Sequence, residues 1–77
     1  MKMLETIKEI ITMYAPVEPE EVTLETNLRT DLALNSLVLM NMIVEVEDNF
    51  GIEIPESDIM TFDTVGDVVA YLENVVE

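Results

Sequence analysis

Apolar positions along the chain change rhythm several times, and each change marks an element. Leu4, Ile7, Ile11 and Tyr14 recur every three or four residues, with Glu5, Lys8 and Glu9 off that stripe, which predicts an amphipathic helix. Pro16 is expected to end it, because proline disfavours helical geometry at the residue before it. From Pro16 to Asn35 no period is sustained. Pro19, Thr23, Thr26, Asn27 and Thr30 give this stretch loop character, while Val22, Leu24, Leu28 and Leu32 are spaced as anchors that pin it to a core. A connection this long is more often functional than idle. A second helix is predicted from about Ser36 to Phe50, where Gly51 offers a left-handed stop. Ile52-Glu53-Ile54-Pro55 reads as a short extended link, and Pro55 to Phe62 allows a helix of one or two turns. Thr64 reads as an N-cap with Asp67 as its capping-box partner, opening a last helix that buries Val65, Val68 or Val69, Leu72 and Val76. Strand signals are poor throughout. The pattern predicts an all-α fold in one domain spanning residues 1–77, a small bundle of three main helices plus one short helix.

The second helix carries two apolar faces. At ~100° per residue, Leu39, Met42, Ile43, Val46 and Phe50 fall on one side as a core stripe. Leu37, Met40 and Val44 fall on the other, with Asn41 and Asp48 beside them and Glu47 at the margin. A surface helix is ordinarily polar there. Two arrangements fit: a helix sandwiched within the bundle, or an exposed apolar stripe rimmed by acids that docks a partner with an apolar groove and a basic rim. The bundle's small size favours docking, because one helix is hard to bury on all sides.

Composition narrows the chemistry. The chain has 77 residues, 49% of them hydrophobic, so it can build a core, and it has neither cysteine nor histidine. No disulfide, thiolate nucleophile or imidazole base is available, which argues against an enzyme. Seventeen acids stand against Lys2, Lys8 and Arg29, for a net charge of −14. Nucleic acid is therefore a poor partner and basic protein surfaces are natural ones, although the acids also serve solubility. The N-terminal stretch is interrupted by charges, unlike a secretory signal, and no run approaches the ~20 apolar residues of a membrane span. A cytoplasmic, monomeric protein without membrane insertion is the expectation. The acids do not follow the order of a calcium-binding EF-hand loop, because Phe50 and Ile52 flank Gly51, and no metal site is expected.

One polar residue stands out. In Asp31-Leu32-Ala33-Leu34-Asn35-Ser36-Leu37-Val38-Leu39-Met40, Ser36 sits where a loop turns into an apolar run. Serine is a preferred N-cap, so Ser36 could simply start the helix. It could also be the single reactive handle of the chain, although from the local residues alone the cap is the simpler reading.

The stretch Asp31-Leu32-Ala33-Leu34-Asn35-Ser36-Leu37 resembles the Asp-Leu-Gly-x-Asp-Ser-Leu signature of acyl carrier proteins and peptidyl carrier proteins. The surroundings are similar to that family too: Thr26-x-Leu28 upstream, Glu45-x-Glu47-Asp48-x-Phe50-Gly51-Ile52-Glu53-Ile54-Pro55 downstream, and Thr64-Val65-Gly66-Asp67-Val68-Val69-x-Tyr71-Leu72 near the end. The resemblance covers nearly the whole chain. It implies that Ser36 is esterified with 4′-phosphopantetheine, donated by coenzyme A through a phosphopantetheinyl transferase with Mg²⁺. The added thiol then holds acyl or aminoacyl cargo as a thioester, which fits a chain with no thiol of its own. The resemblance further implies that the second helix recognises partners, through Leu37, Met40, Asn41, Val44, Glu47 and Asp48. Those partners are loading ligases, synthases and transferases with basic docking surfaces. An attached chain is expected to shelter between the second and third helices, near Ile54 and Ile59.

Two positions depart from the signature. Ala33 stands where glycine is usual, and Asn35 where aspartate is usual. Asparagine caps a helix about as well as aspartate, so the fold should tolerate it, while the lost carboxylate could weaken recognition by some transferases. With Asn41, where fatty acid carriers often have an acid, this leans toward a specialised carrier. The expected function is a freestanding carrier, with fatty acyl, polyketide, aminoacyl and lipid-modification cargoes all open. The alternative is a carrier-like, acidic interaction module that is never primed.

Overall fold

The computed structural model describes residues 2–75. Four α-helices follow one another: α1 (Lys2–Thr12), α2 (Ser36–Phe50), α3 (Glu56–Ile59) and α4 (Val65–Val75), with a 3-10 turn at Pro19–Glu21 between α1 and α2. The all-helical bundle predicted from the pattern is the observed fold. α1 packs against both α2 and α4. That two-sided contact explains why Ile10 and Ile11, neighbours in sequence, are both buried along with Ile7, while Leu4 and Tyr14 are only half-buried. From α2 come Leu39, Met42, Ile43 and Val46, and from α4 Val65, Val68, Val69 and Leu72. Ile54, Ile59 and Phe62 join them from the α3 region in one continuous cluster. Each such side chain contributes roughly 1.5–3 kcal/mol relative to exposure.

Several sequence expectations are corrected. α1 ends at Thr12 rather than near Pro16, because its last turn tightens: the Met13 and Tyr14 N–H groups donate three residues back, to the carbonyls of Ile10 and Ile11. Phe50, assigned to the core stripe, is only half-buried, since it is the last residue of α2 and lies at the edge of the bundle. Leu24 is 42% exposed and does not anchor the loop by its side chain. Its backbone does so instead, as the carbonyl accepts the Gly66 N–H at 2.8 Å. A Cβ on Gly66 would come within 3.0 Å of that oxygen, so the close approach needs glycine. Val76, expected in the core, lies outside the described residues.

The long connection after α1 is thus held by a few points. Val22, Leu28, Leu32 and Leu34 are buried. The Leu28 N–H donates to Asp63 carbonyl at 2.8 Å and the Val65 N–H to Thr26 carbonyl at 2.9 Å, forming an isolated antiparallel bridge between Asn27 and Thr64. Backbone pairing here ties the loop before α2 to the start of α4.

Helix ends follow the local chemistry. Gly51 closes α2 in the left-handed region, φ 66°, with its N–H on the Glu47 carbonyl. At the start of α4, Thr64 Oγ1 accepts the Asp67 N–H at 3.2 Å, while the Asp67 carboxylate accepts the N–H groups of Asp63 at 2.9 Å and Thr64 at 3.0 Å. These backbone donors, Asp63 first, hold the Asp67 carboxyl below its ordinary range. A lowered folded-state pKa contributes stability above the unfolded carboxylate pKa of ~3.9 and loses it as pH falls through the folded value. The advantage of wild type over Asp67→Asn is expected to be small for this exposed group, about 0.5 kcal/mol at pH 7. It should shrink as pH falls below about 4, which paired urea melts at neutral and acid pH would measure.

Candidate functional site

The residue that starts α2 is Asn35, not Ser36. Asn35 has extended backbone geometry, and its Oδ1 accepts the Val38 N–H at 2.8 Å while its carbonyl accepts the Leu39 N–H at 2.8 Å. Ser36 is the first helical residue and is exposed. Because the capping bond goes to Asn35, the Ser36 hydroxyl makes no hydrogen bond among the described residues. The N–H groups of Ser36 and Leu37 likewise have no acceptor there. An exposed hydroxyl thus lies beside two free backbone donors at the positive end of a 15-residue helix with no acid in its first turn. An anion on the Ser36 oxygen would find donors and a favourable dipole.

The approach to the serine is built by a strained loop. Asn27 Oδ1 accepts the N–H groups of Arg29 and Thr30, each at 2.9 Å, and the Asp31 carboxylate accepts the Asn27 N–H at 2.8 Å. Asp31, the first residue of the signature, is therefore a turn-forming side chain. The chain then passes through Ala33 with φ 57°, the left-handed region that an L side chain avoids. Glycine at this position would relieve the strain. Ala33→Gly is expected to raise stability by about 1 kcal/mol, offset in part by glycine's larger unfolded-state entropy. A rise in the chemical-denaturation midpoint checks it, and an unchanged or lower midpoint would mean that the local context has already relieved the strain.

The outer face of α2 continues from Ser36. Leu37 is 72% exposed and Val44 52%, with Asn41 and Asp48 also exposed. Met40 is half-buried and packs partly on the core. Glu47 is half-buried as well, and its carboxylate is engaged within the chain, accepting the Ile54 N–H at 2.6 Å. The face thus offers an apolar surface led by Leu37 and Val44. Glu47, Asp48, Gly51, Ile52 and Glu53 line a shallow groove. Ile54 and Ile59, where an attached chain is expected to shelter, are both buried in the closed core.

Across residues 5–72 the chain matches the family model described as the phosphopantetheine attachment site. The chain belongs to the acyl carrier protein family. It is 41% identical over 71 residues to the meromycolate extension acyl carrier protein of Mycobacterium tuberculosis, covering 92% of this chain and 62% of that protein. The chain thus spans less than two thirds of that relative's length. Its fold superimposes on acyl carrier protein from Enterococcus faecalis with a TM-score of 0.82 at 33% identity, covering 95% of this chain and 92% of the other. A candidate acyl carrier protein from Mycobacterium tuberculosis gives a TM-score of 0.86, also at 33% identity, covering 95% and 97%. The family's prosthetic group is 4′-phosphopantetheine.

Within this carrier, Ser36 stands in the first turn of α2. Of the face read from periodicity, Leu37, Asn41, Val44 and Asp48 are exposed while Met40 and Glu47 are half-buried. Periodicity did not reveal the internal roles of Asp31 and Glu47. Both accept backbone N–H groups from residues four or seven positions away. A turn residue, Asn27, followed four positions later by an acid was the available signal for Asp31. None existed for Glu47, whose partner is a backbone group beyond the end of its own helix.

Proposed function

We propose that this protein is an acyl carrier primed at Ser36. The observation that carries the reading is the Ser36 hydroxyl itself: exposed, without a hydrogen-bond partner among the described residues, and relieved of capping by Asn35. Ser36 Oγ would bear the phosphodiester, and the N–H groups of Ser36 and Leu37 would stabilise its charge. When bound, 4′-phosphopantetheine supplies the thiol that this cysteine-free chain lacks, which makes the protein a carrier of thioester-linked cargo and not a catalyst. The name of the Mycobacterium tuberculosis relative supports acyl cargo over aminoacyl cargo.

Leu37, Met40, Asn41, Val44, Glu47 and Asp48 form the proposed partner surface, for a phosphopantetheinyl transferase and for loading and elongating enzymes with basic rims. Its apolar centre is Leu37 and Val44, its charge lies toward Asp48, and Glu47 contributes charge while holding the segment that follows α2. The proposed setting is the cytoplasm, as a monomer. The test is intact mass of the protein after incubation with coenzyme A, Mg²⁺ and a broad transferase, followed by peptide mapping. A phosphopantetheine increment on the peptide containing Ser36 is expected. No increment with any competent transferase, or an increment elsewhere, would overturn the assignment.

A further inference from the structure

Charge is spread unevenly around Ser36. Residues 26–44 hold one acid, Asp31, and one base, Arg29, so the whole net charge of −14 lies outside this stretch. The Asp31 carboxylate is already engaged by the Asn27 N–H at 2.8 Å. Asn35 is neutral, and the first turn of α2 carries no acid. Everywhere else the chain sets its acids against Lys2 and Lys8 alone. In so acidic a protein, a stretch of chain without net charge leaves the serine open to a further anion.

Arg29 is the only arginine of the chain, and its side chain has no partner among the described residues. No buried side-chain nitrogen is left unpaired there, so the guanidinium reaches solvent although the residue is half-buried. Its backbone, by contrast, is fixed, with the Arg29 N–H donating to Asn27 Oδ1 at 2.9 Å. One residue earlier, the Leu28 carbonyl accepts the Leu34 N–H at 3.2 Å and folds the loop back on itself. Arg29 follows Leu28, and Ser36 stands two residues beyond Leu34, so both leave the same backbone junction.

We propose that Arg29 is a positioning residue for an anion carried on Ser36, its guanidinium serving as the counter-charge. That the anion is the phosphodiester of the prosthetic group rests on the carrier reading. A guanidinium stays protonated throughout the pH range of the folded protein, and its planar fork of N–H donors matches phosphate oxygens. The α2 backbone supplies amides to the anion and the preceding loop supplies the charge. A lysine would supply the charge without the fork, so the two cations should not be equivalent here.

A double-mutant cycle on the unprimed protein, read by urea denaturation, tests the counter-charge without any transferase. Ser36→Asp puts an anion on the same residue. Arg29→Gln is expected to lower the folding equilibrium constant about two- to fivefold more in Ser36→Asp than in wild type, the size of an exposed ion pair. Arg29→Lys should keep part of that coupling, and about 1 M NaCl, where the Debye length falls to ~3 Å, should remove most of it. The primed protein is the second arm. There Arg29→Gln should weaken the primed form more than the unprimed one by a similar factor and move the ³¹P resonance of the phosphodiester. Zero coupling in the unprimed cycle would overturn the proposal. So would a primed protein no more sensitive to Arg29→Gln than the unprimed one, since Arg29 would then serve only the loop's fold. If Arg29→Gln fails to fold, the cycle is run with Arg29→Lys, where a smaller coupling of the same sign is expected and none would overturn the proposal. Failure of wild type to be primed, with coupling present in the unprimed cycle, would count against the carrier reading and leave Arg29 as the counter-charge of an anion at position 36.

Discussion

Ser36→Ala is expected to abolish attachment of phosphopantetheine while leaving the fold nearly unchanged. The reason lies in a division of labour between neighbours. Asn35 accepts the Val38 N–H and starts α2, so removing the Ser36 hydroxyl breaks no hydrogen bond among the described residues. The change in stability should stay within about 0.5 kcal/mol, as for ordinary surface substitutions. Asn35→Ala is the complementary variant. Losing the cap should cost about 1 kcal/mol and lower the melting temperature by several degrees for a chain of this size, yet leave a serine that can still be primed. Intact mass after incubation with coenzyme A and transferase, paired with circular dichroism, separates the two effects. Retained priming in Ser36→Ala would remove Ser36 from the site. A Ser36→Ala protein destabilised as much as Asn35→Ala would mean that the serine also carries a capping role.

Substitutions on the two faces of α2 are expected to split stability from partner engagement. Ile43 is fully buried and Val44, the next residue, is 52% exposed. Ile43→Ala should cost about 2–5 kcal/mol, through lost burial plus the cavity left behind. Small domains have only about 5–15 kcal/mol in total, so that single change could leave a substantial unfolded fraction. Val44→Ser should change stability far less while lowering kcat/KM for priming and loading, because apolar area is removed from the proposed docking surface and not from the core. Met40 is half-buried, so Met40→Ser should fall between these extremes and is the weaker probe. Urea denaturation and steady-state kinetics on the same variants decide the matter. Comparable unfolding by Val44→Ser and Ile43→Ala would mean that the outer face is packed, and undisturbed turnover in folded Val44→Ser would take that residue out of the docking surface.

The asymmetry of α2 also shows how far periodicity reaches. Both apolar faces of this helix are visible as spacing, and α1 covers one of them. Which one is covered, and how completely, depends on where the helix ends and on what packs against it. Phe50 has the spacing of a core residue but sits in the final turn, and Met40 has the spacing of a surface residue but reaches partly onto the core.

By itself the sequence determined the helices, the serine at the head of the second, and the glycine that closes it. These follow from interactions within a few residues: apolar spacing, caps and a left-handed stop, all legible from the order of side chains. The family signature added the chemistry expected of Ser36. Only the tertiary structure decided which polar groups are committed internally. Asp31 is bent into the turn that delivers the chain through Ala33 in a left-handed conformation, and Glu47 reaches beyond its own helix to the Ile54 N–H. A carboxylate's partner seven residues away, or a strained φ on an alanine, leaves no periodic trace, because each arises from how the elements close on one another.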